Sequence, residues 1–145
     1  MIPILIGAAL LGATMFTSWA LYISLVEHPA RLESGPAAGR AQFRASYRRA
    51  APWQVAFALL ACLGGAGVAA LTRRWPWLAG ALAVGAAVPY TLVAIMPTNH
   101  SLLAATPLAD DDTRRLLNRW GRLHAARTAL GALGWLTFIY ALGAP

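Results

Sequence analysis

The chain has 145 residues, 59% of them hydrophobic and only 12% charged, with a formal net charge of +7 at pH 7. Soluble domains carry about 25% charged residues, so this balance excludes an ordinary soluble domain and makes the basic excess a signal of membrane topology rather than of nucleic-acid binding. A single cysteine, Cys62, excludes an internal disulfide, a CxxC pair and a cysteine-based metal cluster.

In chain order, the first run, Ile2 to Val26, has no Asp, Glu, Lys or Arg. It lacks a basic leader and exceeds the roughly 7–15 residues of a signal-peptide core, which predicts a helix retained on the mature protein. That helix is expected to end near Glu27-His28-Pro29, because proline disfavours the helical conformation in the residue before it. The stretch "ARLESGPAAGR" then predicts a turn. Arg40, Arg44 and Arg48, spaced by fours, predict a second helix that starts before the membrane. Pro52 is expected either to kink it or to mark its first turn in lipid, and lipid phosphate contact accounts for Arg40, Arg44 and Arg49. A second uncharged run covers 50–72, with Gly64, Gly65 and Gly67 thinning it for close helix contact, as Ala8/Gly12 and Ala81/Gly85 do elsewhere.

The connection "TRRWPW" is so short that helices two and three must be antiparallel neighbours, and Trp75 and Trp77 suit headgroup depth. A third uncharged run, 75–99, predicts a helix to about Met96, followed by the loop "PTNHSLLAATPLADDD" that carries Asn99 and His100. Asp110, Asp111 and Asp112 complement the positive end of a fourth helix, with Asp112 or Thr113 as its cap. This helix passes through "RWGRLHAAR", residues 119–127, into the uncharged 128–145.

Apolar runs this long cross a bilayer only as helices. The predicted fold is all-α: an integral membrane antiparallel four-helix bundle, one domain over 1–145, with helices at about 2–27, 40–72, 76–96 and 113–142. The connections from helix one to two and from three to four then share a face holding ten of the twelve arginines, against Arg73 and Arg74 opposite. The positive-inside rule puts that face in the cytoplasm and both termini outside. The alanine-rich, lysine-free composition fits a GC-rich bacterial genome.

All three histidines, His28, His100 and His124, lie on the arginine-rich face. At 100° per residue, Trp120, His124 and Arg127 fall within about 60° of one another, with Gly131 and Gly134 continuing the stripe. Arg127 lies a turn or more inside, where charge is costly and calls for a partner. Glu27, the only carboxylate at the end of a membrane helix, is the best candidate for that partner; snorkelling along the aliphatic stem and a substrate-binding role are the other readings of Arg127. Glu27 and His28 are adjacent and point about 100° apart, so only one of them is expected to face inward. His28 and His124 are candidate proton-transfer groups, against interfacial or structural roles, while His100 is expected to be solvated. Tyr47 and Arg48, in "SYRR", are candidate substrate contacts on the same side. Asn99 can hydrogen-bond a ligand or cap a turn. Three histidines and a glutamate are the right ligand types for zinc, copper or iron, but there is no HExxH, no Glu-x-x-His and no histidine pair four apart, so neither a metal nor haem is expected.

Four segments, "YISLVEHPAR" at 22–31, "YRRAAPWQ" at 47–54, "IMPTNHSLLA" at 95–104 and "LLNRWGRLHAAR" at 116–127, resemble the anthrone oxygenases of polyketide pathways, specifically their uncharacterised bacterial membrane relatives. The likeness covers most of the chain. It carries over most directly at Pro97, Asn99, Trp120 and Arg127, whereas His28 and His124 sit in motifs of the uncharacterised branch. The resemblance implies oxidation of an anthrone-type methylene by dioxygen without metal or flavin. His124 would serve as base, Arg127 and Asn99 as oxyanion donors, and Trp120 would pack on a flat ring. The partners implied are membrane lipids and a hydrophobic small molecule, with homo-oligomers left open. The competing reading is a non-enzymatic membrane module that binds a lipid or small molecule, or a subunit of a larger assembly.

Overall fold

The computed structural model describes residues 1–144. It contains four helices, which we label α1 (Ile2–Glu33), α2 (Pro36–Thr72), α3 (Trp75–Leu103) and α4 (Asp110–Gly143). Each is long and apolar enough to cross a membrane. They form an antiparallel bundle in which each helix packs on its neighbour in sequence, α1 closes on α4, and α2 touches α4 across the diagonal. Leu25, Leu63, Leu82 and Val93 are each more than 60% exposed on its outside. Apolar surface of that extent suits lipid and would be a liability in water.

The helices are longer than the sequence predicts, and two prolines explain it. Instead of ending α1, Pro29 follows a π-turn at Ile23–Glu27, where the N–H of His28 reaches back five residues to Ile23 O. Pro97 follows a second one at Thr91–Ile95, with the N–H of Met96 on Thr91 O. A widened turn accommodates the missing proline N–H without breaking the rod. Glu27, His28, Asn99 and His100 are therefore helical, not terminal or in a loop. α2 likewise starts at Pro36, not near Arg40, and carries Pro52 inside it. α4 starts at Asp110 with Ala109 at its cap and no capping side chain, so neither Asp112 nor Thr113 has the expected role.

Helices of 29 to 37 residues extend roughly 44–55 Å at 1.5 Å per residue, against about 30 Å of hydrocarbon. The surplus lies at the end bearing the α1–α2 and α3–α4 turns, because every uncharged run extends to the opposite end. Two cores follow that division. In the apolar half, small residues let backbones meet: a Cβ on Gly12 would lie 2.5 Å from Ala61 N, and one on Gly64 2.6 Å from Ala9 N. Trp77 belongs to this core, 1% exposed and stacked on Phe138 at 5.5 Å. Only Trp75 is at the surface as predicted. The arginine-rich half packs around Phe43, Leu117 and Trp120.

Here Arg40 and Arg44 do not reach outward to lipid phosphate. They turn in and donate to the last carbonyls of α3, Arg40 to Leu102 O at 3.1 Å and Arg44 to Leu102 O at 3.2 Å, with Ala104 O receiving both. Orphan carbonyls at a helix C-terminus are the complementary partner for a cation.

Candidate functional site

Trp120 is the hub of the arginine-rich half. It is 5% exposed, its indole N–H donates to Asn99 Oδ1 at 2.9 Å, and Asn99 Nδ2 donates to Tyr47 Oη at 3.3 Å. His124 stacks on the indole at 4.6 Å, His28 lies at 5.3 Å, and Phe43 meets it edge-on at 5.2 Å. The ring expected to pack on a substrate is thus already covered by protein. Gly121 provides the room for His28, since a Cβ there would lie 2.3 Å from His28 Nε2.

On the α1 side of the indole is a closed ionic cluster. Arg31, 3% exposed, bonds Glu27 Oε1 at 2.6 Å, Ser46 Oγ at 3.2 Å and the Oε1 of Gln42, while Gln42 Nε2 donates to the same Glu27 oxygen at 2.7 Å. Its guanidinium also lies 5.4 Å from the Phe43 ring and 5.2 Å from Trp120, a cation–π arrangement. The expected Glu27–Arg127 pair does not form. Glu27 is taken by Arg31, four residues on along the same helix, a pairing that the predicted break at Pro29 concealed. Nor is only one of Glu27 and His28 engaged: His28 Nδ1 lies 3.4 Å from Arg31 Nη1, so both meet one partner.

On the α4 side is an open cluster. Arg127 Nη2 lies 2.8 Å from His124 Nε2 and 3.4 Å from Gln54 Oε1, and its guanidinium sits 5.7 Å from the Phe16 ring. A guanidinium only donates, so Nε2 must be the acceptor, and the proton of a neutral His124 is on Nδ1. That N–H faces Ser24 Oγ at 3.0 Å, and Ser24 Oγ in turn lies 3.0 Å from Thr128 Oγ1, which donates to the backbone at His124 O. Two donors are left over: Arg127 Nε and Gln54 Nε2 are buried without a partner.

These side chains line two small cavities. One, of about 30 Å³, is bounded by Arg31, Tyr47, Gln54, Asn99, Trp120 and His124, with Arg127 beside them. It has room for roughly two waters. The other, of about 90 Å³, lies between α2 and α3 and shares Tyr47, Ala51, Gln54 and Arg127 with the first. Among the described residues, no three His, Cys, Asp or Glu side chains come together.

Of the residues singled out from sequence, the fold brings together Glu27, His28, Tyr47, Asn99, Trp120, His124 and Arg127. It does not bring in Arg48, which is exposed on the far side of α2; next to inward-facing Tyr47, it points about 100° away. His100 is exposed as well. Arg31, Gln54, Ser24 and Thr128 join the site without being among the residues the sequence points to. Gln54 had a readable signal as the only amide in the uncharged run 50–72, whereas nothing local marks Ser24 or Thr128.

Fold and site together define an integral membrane four-helix bundle with a buried polar centre where its charged extension meets its apolar part. Residues 43–137 match the model of the anthrone oxygenase family. The chain belongs to that family. No curated protein and no solved structure matches it. The matched segment contains Tyr47, Gln54, Asn99, Trp120, His124 and Arg127, and leaves out the α1 cluster of Glu27, His28 and Arg31.

Proposed function

We propose that the protein is a membrane-embedded oxygenase that oxidises a flat, lipid-soluble phenolic or anthrone-type substrate with dioxygen, its arginine-rich end facing the cytoplasm of a bacterial cell. The observation that carries this reading is the His124–Arg127 pair: a neutral imidazole, aligned through Nδ1 by Ser24, with its lone pair against a guanidinium whose Nε has no partner.

The chemistry needs a base and a site for developing negative charge. An anthrone methylene is acidic because its anion is an aromatic phenolate. In the proposal, the substrate oxygen draws Arg127 off His124 Nε2, and the freed lone pair takes the methylene proton. The carbanion gives its electrons to dioxygen and forms a C–O bond; the hydroperoxide then loses water. Two C–H bonds become one C=O, and the second oxygen atom leaves in the water. We assign no metal or flavin to this sequence. Tyr47 and Gln54 border the substrate, and Asn99, whose amide is committed to Trp120 and Tyr47, positions those two rather than acting as an oxyanion donor.

Oxygen uptake by wild-type and His124→Gln protein in proteoliposomes supplied with an anthrone tests this. A loss of at least ~100-fold is expected for a general base; equal rates overturn the assignment. A second reading, a non-enzymatic binder, is favoured by the cavity's size of about 30 Å³. A tricyclic ring needs the side chains around the larger cavity, of about 90 Å³ between α2 and α3, to part. Oxygen uptake no faster than from protein-free liposomes selects this second reading.

A further inference from the structure

Half-buried Arg127 is unlike buried Arg31, the other guanidinium of the site. Arg31 is neutralised by Glu27. Arg127 has, among the described residues, an amide oxygen, an imidazole lone pair and the face of Phe16 as partners, and no anion. Its Nε and the Nε2 of Gln54, a side chain 3% exposed, donate to nothing. A half-buried cation without an anion, its Nε shut off from solvent, is an unfinished site: part of the desolvation has been incurred and the compensating charge is missing.

The place where this charge waits is not symmetrical. Arg127 and Gln54 form the partition between the two cavities. The α2–α3 cavity has walls of Val55, Ala58, Val88 and Leu92, and Val55 and Leu92 are 44% and 58% exposed on the side that faces lipid. A ligand arriving there meets an apolar slot first and the side chains of Arg127 and Gln54 at its inner end.

We propose that the protein admits its ligand from the bilayer between α2 and α3 and holds it as a flat organic anion, a phenolate, with its oxygen on Arg127 Nε and Gln54 Nε2 and its rings in the α2–α3 cavity. The proposal rests on the functional site above but concerns binding and not oxidation. The ligand crosses lipid neutral and loses its O–H proton on reaching Arg127. That proton leaves for water at the arginine-rich end, so binding releases one proton. A lipid phosphate is the other anion within reach, and the experiment separates the two.

The probe is 1,8-dihydroxyanthraquinone, whose visible band moves to the red when a phenol ionises. With full-length protein in phosphatidylcholine liposomes at pH 7, the wild type is expected to bind it with the red-shifted band. Arg127→Gln is expected to weaken binding at least tenfold and to leave bound dye with the neutral band. Gln54→Glu, which gives Arg127 an internal carboxylate, is expected to abolish anionic binding even if Arg127→Gln proves unstable. Neutral dye on the wild type overturns the proposal, as does full anionic binding to Gln54→Glu. So does loss of wild-type binding when phosphatidylglycerol replaces a third of the lipid, because the site would then be a headgroup site. Anionic dye binding without anthrone oxidation sinks the oxygenase reading alone; oxidation with neutral dye sinks this one alone.

Discussion

Two arginine clusters flank Trp120, and they differ in a way that separates structure from function. On the α1 side, Arg31 has a carboxylate, an amide, a hydroxyl and two aromatic rings around it. On the α4 side, Arg127 has an imidazole lone pair, one long bond to an amide and one aromatic ring, but no carboxylate, and a donor is left over. A saturated buried ion pair has nothing to offer a ligand, and breaking it leaves an unpaired charge. An unsaturated one costs the folded state something and is held ready for a partner that brings the missing acceptor. Burial of an arginine is therefore not itself the mark of a binding site. The mark is the balance of its donors.

The sharpest way to break that contrast is Glu27→Gln. It strands Arg31, and a loss of about 3–5 kcal/mol is expected when one member of a buried pair is removed, read as a shift of the unfolding transition in detergent. An unchanged midpoint shows that Arg31 is not held by Glu27. Next in size, Gly121→Val drives a side chain into His28 and is expected to cost about 2 kcal/mol as an overpacked contact, with the same measurement deciding. Trp120→Phe keeps one aromatic ring but loses the other and the donor to Asn99, for about 2 kcal/mol; a drop beyond ~4 kcal/mol assigns Trp120 more than this packing and this one bond. Arg127→Gln is expected to change stability least, within about 1 kcal/mol of zero, because it removes an uncompensated charge as well as two hydrogen bonds. A loss like that of Glu27→Gln erases the difference between the two clusters. The same comparison predicts that the double variant Glu27→Gln/Arg31→Met recovers most of the loss seen in Glu27→Gln, as apolar replacement of a whole buried pair tends to do.

How much of this the sequence discloses varies along the chain. The number of helices follows from four uncharged runs, and the clustering of arginines at one end from the alternation that short connections impose. Trp120, His124 and Arg127 share a face because 3.6-residue periodicity makes them do so. The helix boundaries near Pro29 and Pro97 are misread because a proline that breaks a helix and a proline that follows a π-turn look alike locally. That error hides the Glu27–Arg31 pair, whose spacing of four residues is otherwise plain. Arg40 and Arg44 are misassigned to lipid for a related reason: their true partners are carbonyls more than fifty residues away, at the end of a helix whose length the sequence understates.

Sequence alone determined that this is a bundle of membrane-length helices with its charge at one end, because the cost of leaving apolar side chains in water or backbone groups unpaired in lipid is set by composition and run length. The tertiary structure decided which arginine is satisfied and which is not. Partnership depends on which atoms come within about 3 Å, and Gln54, Ser24 and Phe16 reach the α4 cluster only once four helices have packed.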